Sequence, residues 1–141
     1  MPLSDLQNFI SFVCNFHPAL KFTYIISDSE LPFLDINLKI SDNRLTTSIH
    51  YKDTDAHSYL HNDSSHNPKC ITLIPFSELL RLRRLCSEDT DFDKKATEMS
   101  TFFSDCNYST NTIQSAQQRI SAISHNDALE PRPKQNTTDR T

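Results

Sequence analysis

Apolar residues recur at helical spacing over the first 16 residues of the chain. Ser4 and Gln7 form the capping-box pattern that typically starts a helix. Apolar side chains then follow on one helical face, at Leu6, Phe9, Ile10, Val13 and Phe16. Because Pro18 disfavours helical backbone at the residue before it, the run ends at His17. The pattern predicts an amphipathic helix over residues 4–16.

Beyond this helix the apolar period changes to two, which is typical of half-buried strands. Alternating runs cover residues 20–26, 34–40 and 45–51. Asp42 and Asn43 separate the second run from the third, and Asn tolerates the positive φ of a tight hairpin turn. We therefore expect a small three-stranded antiparallel sheet, with the N-terminal helix covering its apolar face.

Helical spacing returns in the second half of the chain, after a polar, His-rich stretch. Pro75 suits the first position of a helix, because its missing N–H would be unpaired there anyway. In this helix Arg81 and Arg84 lie opposite a broad apolar arc. Arg83 falls within the arc, so we expect its stem to lie along the core and its guanidinium to reach outward.

Two shorter amphipathic helices are predicted to follow. Thr90 is placed to cap the first of them, and Asn107 fits the left-handed position after its end. Ser109 is placed to cap the second. From Asn126 onward apolar residues are rare, which predicts a disordered tail.

The predicted fold class is α+β. Residues 1–52 are expected to form the helix and the antiparallel hairpin segment, and residues 53–73 an irregular connector. Residues 74–124 are expected to form a three-helix, helix-turn-helix-like bundle. Residues 125–141 are expected to be the disordered tail.

Composition narrows the classes of function. The 141 residues carry a net charge of −4, whereas general nucleic-acid binders usually have a basic excess, so any such contact must be local. No apolar run reaches the roughly 20 residues that span a membrane, and the N-terminus has no signal-peptide pattern. We expect an intracellular protein, with the nucleus included. The chain contains no glycine, so Asn and Asp must occupy its tight turns and no Gly-rich phosphate loop exists.

The connector contains the chain's metal-ligand candidates, His57, His61, His66 and Cys70. All four side chains can bind zinc, yet their spacing lacks the short pairs of structural zinc sites. Asp53, Asp55 and His57 are also the residue types of a metal-dependent nuclease, but no second motif completes such a site. We favour ordinary loop residues in both cases, and we expect no cofactor. The four cysteines form no C-x-x-C pair and are expected to be reduced thiols.

Several motifs occur together in a fixed order. Phe-His-Pro-Ala-Leu-Lys-Phe-Thr occupies residues 16–23 and Leu-Pro-Phe-Leu-Asp-Ile residues 31–36. Tyr-Lys-Asp-Thr-Asp follows at 51–55, and Ile-Pro-Phe-Ser-Glu-Leu-Leu-Arg-Leu-Arg-Arg-Leu-Cys-Ser at 74–87, with Tyr-Leu-His and Ser-His-Asn-Pro between them. In order and spacing the chain resembles the C-terminal part of animal Penelope-like retroelement reverse transcriptases.

The resemblance implies a primer-grip-like hairpin followed by a thumb-like helix-turn-helix domain. It also implies contact with the backbone of a template–primer duplex of RNA or DNA. Arg81, Arg83 and Arg84 would contact phosphates, with Lys52 and Lys69 as weaker contacts. No small-molecule substrate and no membrane partner are expected.

The chain also departs from the family pattern. The catalytic Tyr-x-Asp-Asp box, the fingers region and a Gly-Ile-Tyr-type endonuclease are absent from the sequence, and Asp53 replaces the usual Pro of a Lys-Pro-Thr-Asp motif. Two-metal nucleotidyl transfer requires the palm carboxylates. The expectation is thus a non-catalytic reverse-transcriptase fragment. The alternative is a protein-interaction module or an unconstrained relic without independent activity.

Overall fold

The computed structural model describes residues 3–131, except for the side chain of Ser41, and it has a mixed α+β fold. An N-terminal helix precedes a three-stranded antiparallel sheet and four further helices, which confirms the expected fold class. The elements in chain order are α1 (Leu3–Cys14), β1 (Glu30–Phe33), β2 (Ile36–Ser41), β3 (Arg44–Ile49), α2 (Pro68–Leu85), α3 (Asp89–Asp105), α4 (Thr110–Ser121) and α5 (His125–Leu129).

The sheet has the order β1-β2-β3. The predicted hairpin is confirmed, with β2 and β3 joined at Asp42 and Asn43. The φ angles of these residues are 51° and 59°, and type I′ hairpin turns require a positive φ at both central positions. Leu34, between β1 and β2, also has a positive φ of 56°.

Only one end of the apolar sheet face is covered. Ile36 pairs with Ile49 and Ile40 with Leu45, and cross-strand partners share a face. Ile49 is buried in the core with residues of α2 and α3, whereas Ile40 and Leu45 are more than half exposed. The sheet therefore attaches to the helices through the end that contains Ile49.

Two N-terminal predictions are wrong. Residues 20–26 form neither helix nor strand, and the third strand is Glu30–Phe33. An alternating segment forms a strand only where a neighbouring strand supplies hydrogen-bond partners. The edge of β2 opposite β3 is already paired with β1, so residues 20–26 cannot pair there. The predicted N-terminal helix exists as α1, but it does not cover the sheet, since none of its side chains is buried. Helices α2 and α3 take the covering position instead.

The connector ends earlier than predicted, because α2 begins at Pro68. Asn67 caps this helix by accepting a hydrogen bond from the Lys69 N–H at 2.9 Å, and Pro68 takes the first helical position. Pro75 therefore lies inside the helix and is fully buried. Either proline could occupy the first position of a helix, but only Pro68 follows a residue whose side chain caps the helix.

The links between the later helices agree in part with the sequence. Asn107 has a φ of 65°, and Ser109 accepts a hydrogen bond from the Thr112 N–H at 3.2 Å, so both predictions are confirmed. Helix α3 begins at Asp89, so the expected cap at Thr90 is wrong. The tail prediction is wrong at α5, whose first turn is capped by Ser124. Residues 132–141 of that predicted tail lie outside the described residues.

A single core joins the helices to the sheet. Its fully buried side chains come from α2, α3, α4 and the α2–α3 link, and the largest are Phe103, Leu79, Leu82, Met99, Ile120, Pro75 and Cys86. Backbone bonds continue the connection, since the Ser87 N–H donates to the Thr47 carbonyl and the Thr47 N–H to the Ser87 hydroxyl, each at 2.9 Å.

Candidate nucleic-acid interface

Arg81, the first predicted phosphate contact, connects α2 to the sheet. Its Nη2 donates to the Asp35 carboxylate at 2.7 Å, and Nη1 lies 3.7 Å from Glu78. Asp35 lies in the turn between β1 and β2. Arg81 is thus charge-balanced by two carboxylates of its own chain.

Arg83 is buried, with 8% of its surface exposed. Its Nε donates to the Ile123 carbonyl at 3.0 Å, and Nη2 donates to Asp89 at 2.6 Å. The guanidinium also lies 4.8 Å from the centre of the Phe92 ring. The expectation that this guanidinium reaches outward is wrong, because the segment after α4 passes over it and supplies a carbonyl acceptor.

Arg84 is exposed, yet it also has an internal partner. Its Nε donates to the Ala128 carbonyl at the end of α5, at 2.7 Å. Nearby, the Nδ1 of His125 lies within hydrogen-bond distance of the Arg83 carbonyl, at 2.9 Å. The three arginines of α2 therefore bind three different segments of the same chain.

The two predicted lysine contacts lie at different places. Lys52 borders a cavity of about 230 Å³ that is also lined by Asp35, Asp55 and Arg81, so positive and negative groups face it together. Lys69 is exposed in the first turn of α2.

The His and Cys candidates do not meet in a ligand set. His57 stacks on Phe102 at 4.2 Å between ring centres, and its Nδ1 lies 3.6 Å from Asp55, too far for a hydrogen bond. His61 lies beside Asp63, and His66 contacts the Ser64 hydroxyl. Cys70 is exposed on α2. Within residues 3–131, no three His, Cys, Asp or Glu side chains converge closely enough to hold a metal ion. The nuclease candidates Asp53, Asp55 and His57 therefore do not form such a group either.

Charge is segregated among the three helices of the bundle. Helix α3 contains five acidic residues and two lysines, a formal charge of −3. Helix α2 contains Lys69 and three arginines against Glu78, a charge of +3, and α4 contains Arg119 without any acid. Indeed no Asp or Glu occurs from residue 106 to residue 126.

Apart from Arg119, the exposed residues of α4 have uncharged hydrogen-bonding side chains. Its buried face is formed by Ile113, Ala116 and Ile120. The exposed positions of the helix include Asn111, Gln114, Ser115, Gln118 and Arg119. The sequence interpretation missed this face. The absence of acids around α4 is visible in the sequence, but which residues face solvent becomes clear only once the packing is known.

A groove of about 380 Å³ runs between α2 and α4, and we call it the α2–α4 groove. Its apolar side chains are Leu73, Phe76 and Ala116, and Asn111 and Ser115 are among its polar ones. The guanidinium of Arg119 lies over the Phe76 ring at 4.0 Å from its centre. Lys69 lies one helical turn before Leu73, on the same side of α2.

Residues 58–118 match an animal helix-turn-helix domain family. The matched segment includes the end of the connector, all of α2 and α3, and most of α4. The helix-turn-helix part of the sequence prediction is thereby confirmed. No curated protein and no solved structure matches the chain.

Within this helix-turn-helix domain, α3 and α4 are joined by a short turn. Asn107 provides its left-handed residue, and Asn107 Nδ2 donates to Asp63 of the connector at 2.7 Å. The Tyr108 hydroxyl donates to the Leu60 carbonyl at 2.8 Å. The connector thus braces the turn that sets the direction of α4.

In the described part of the chain, residues 3–131, no helix combines the length and apolar character needed to cross a membrane.

Burial raises the pKa of several titratable side chains. Burial, followed by the nearby Glu78 carboxylate, raises the pKa of Tyr59 to about 12. Burial also raises the pKa of Tyr51, Tyr108 and the Cys86 thiol. Full burial and a raised pKa are typical of a cysteine that packs in a protein core.

Proposed function

We propose that the helix-turn-helix domain binds nucleic acid through the exposed face of α4. The observation that carries this proposal is an acid-free helix with Gln114 and Gln118 exposed on one surface. Asn and Gln amides can form paired hydrogen bonds with base edges. In helix-turn-helix proteins the second helix of the motif enters the major groove, and we assign this role to α4 because it follows the short turn after α3.

The charge distribution favours the same surface. Lys69 lies one helical turn before Leu73 of the α2–α4 groove, so phosphates that approach α4 would meet it, whereas the acidic residues of the bundle are concentrated on α3. Lysine contacts to phosphate position a protein on nucleic acid without reading its sequence. We therefore assign Lys69 to the nucleic-acid backbone and the Gln114 and Gln118 amides to the major groove of the duplex.

We also propose a common origin with the C-terminal part of Penelope-like reverse transcriptases of animals. Its support is the order of elements, since a tight β-hairpin precedes a segment that matches an animal helix-turn-helix domain. In this proposal the chain holds a template–primer duplex and catalyses no reaction itself.

The test is binding of labelled DNA, RNA and RNA–DNA duplexes, followed by fluorescence anisotropy over a salt titration. Lys69→Ala should weaken binding to every duplex and reduce the salt slope by about one. Lys94→Ala is the matched control, because it removes the same charge from the acid-rich helix α3. Gln114→Ala with Gln118→Ala should lower affinity and change any sequence preference.

Two outcomes would contradict the proposal. One is the absence of binding to all three duplexes at low salt. The other is an equal loss in Lys69→Ala and Lys94→Ala. A loss confined to Arg84→Ala would instead support the phosphate contacts that the resemblance implies for α2.

A second function, protein interaction, is favoured by the N-terminal region. In α1 and just after it, Phe9, Phe12 and Phe16 are each at least 60% exposed, which is unusual for large apolar side chains placed close together. If they form contacts between chains, the protein should associate in sedimentation experiments. Phe9→Ser with Phe12→Ser should then make it monomeric without reducing duplex binding.

A further inference from the structure

The α2–α4 groove has features that the proposed contacts of α4 with a duplex do not use. Asn111, Ser115 and Arg119 occur at intervals of four residues, so they form one stripe along α4. This stripe lines the groove together with Leu73 and Phe76 of α2. None of the groove-lining residues is acidic.

The arrangement of Arg119 is the central observation. Its guanidinium lies over the Phe76 ring at 4.0 Å, and the residue is nevertheless exposed. The guanidinium therefore contacts an aromatic ring while part of its surface remains accessible to a second flat group. Arginine planes and aromatic rings are the surfaces on which proteins stack unpaired bases.

We propose that the α2–α4 groove binds one unpaired nucleobase of the bound nucleic acid. The base stacks on the accessible part of the Arg119 guanidinium. The Asn111 amide and the Ser115 hydroxyl are both donor and acceptor, so they can pair with the edge of the base. This inference rests on the proposed function and specifies its substrate as nucleic acid with a single-stranded segment.

The surroundings suit a nucleotide better than an apolar peptide. The volume of about 380 Å³ is at the small end of the range for ligand pockets. Asn111 and Ser115 are exposed, uncharged polar residues of the groove, and an apolar peptide side chain packed against them would leave them without hydrogen-bond partners. Lys69 lies one helical turn before Leu73 and can meet the phosphate of a neighbouring nucleotide.

A base inside a duplex cannot occupy this site, because it is already stacked and paired. Extruding it costs free energy that an unpaired base does not require. The full chain should therefore bind a duplex with a single-stranded extension more tightly than the same duplex with blunt ends. A difference of about tenfold is expected from one stacked base.

The experiment compares three labelled probes with one duplex sequence: blunt, extended by unpaired adenines, and extended by abasic sites. 2-Aminopurine in the extension reports stacking through its fluorescence. Arg119→Lys keeps the charge and removes the plane, so the ratio of extended to blunt affinity should fall toward one. Phe76→Leu should reduce the same ratio, and Lys94→Ala should leave it unchanged. Urea unfolding of each variant shows that the fold is retained.

The outcomes separate this inference from the proposed function. Equal affinity for the three probes, with no fluorescence change, overturns the unpaired-base site and leaves duplex binding in place. Displacement of the 2-aminopurine probe by an amphipathic peptide, but not by adenosine monophosphate, assigns the groove to a peptide and also overturns the inference. Failure to bind any probe overturns the proposed function as well.

Discussion

The Nε of Arg83 donates a hydrogen bond to the carbonyl oxygen of Ile123, 40 positions later in the chain, at 3.0 Å. This bond holds the segment after α4 against α2. The Nδ1 of His125 lies 2.9 Å from the Arg83 carbonyl, so side chain and backbone of Arg83 both contact this segment. Arg83 is thus a structural link between helices of the helix-turn-helix domain.

The first prediction concerns the two partners of Arg83. Arg83→Met keeps an aliphatic stem but leaves the Ile123 carbonyl without its donor, which should cost about 2 kcal/mol of unfolding free energy. Asp89→Asn should cost less than about 1 kcal/mol, because the Asp89 side chain is 80% exposed and surface ion pairs contribute little. Urea unfolding measures both. Equal effects of the two substitutions would show that the ion pair, and not the carbonyl bond, stabilises this contact.

The arginines show why the candidate site could not be predicted completely. The sequence shows three arginines on one short helical segment, but their acceptors Asp35, Ile123 and Ala128 lie 46, 40 and 44 positions away. The sequence shows which side chains are charged. Whether a charged side chain is free to contact a ligand depends on which groups the fold places beside it. Sequence alone therefore indicates basic side chains and not free ones.

In the fold, too, features set by neighbouring residues can be predicted from the sequence, whereas features set by distant contacts cannot. The turn at Asp42 and Asn43 and the cap at Ser109 depend on neighbouring residues, and both were predicted. The alternating residues 20–26 satisfy the local pattern equally well, but a strand needs a partner from elsewhere in the chain. Helix α1 was likewise predicted as a helix, while its place on the sheet was not, because that depends on competition with α2 and α3.

The second prediction compares two tyrosine hydroxyls. The hydroxyl of Tyr108 donates to the Leu60 carbonyl at 2.8 Å, whereas the buried Tyr51 hydroxyl has no partner in the described residues. Tyr108→Phe should therefore cost about 1 kcal/mol. Tyr51→Phe should leave the unfolding free energy unchanged or raise it by up to about 1 kcal/mol, since a buried unpaired hydroxyl is removed. A comparable loss in both variants would mean that Tyr51 has a hydrogen-bond acceptor in solution.

The third prediction concerns stability at high pH. The pKa of Tyr59 is raised to about 12 in the fold, from about 10 in an unfolded chain. Deprotonation therefore favours the unfolded state: the unfolding free energy is unaffected below pH 10 and falls as the pH rises toward 12. Tyr59→Phe should reduce this fall in urea unfolding measured at a series of pH values.

Tyr24→Phe is the matched control, because it removes a tyrosine hydroxyl from a side chain that is 61% exposed. Deprotonation of the tyrosines whose pKa is raised can also be followed by tyrosinate absorbance, which should appear together with unfolding. An equally steep fall in Tyr59→Phe and in the unsubstituted protein would contradict the assignment to Tyr59.

The last prediction concerns the turn that directs α4. Asn107 has a φ of 65°, a conformation that costs roughly 1–2 kcal/mol for a residue with an ordinary side chain. Asn107→Ala should therefore be more destabilising than Asn107→Gly, by about 1 kcal/mol, although both lose the bond from Asn107 Nδ2 to Asp63. Asp63→Ala measures the contribution of that bond separately. If Ala and Gly at position 107 were equally tolerated, the turn would be free to relax. The direction of α4 would then depend on the connector contacts and not on the left-handed residue.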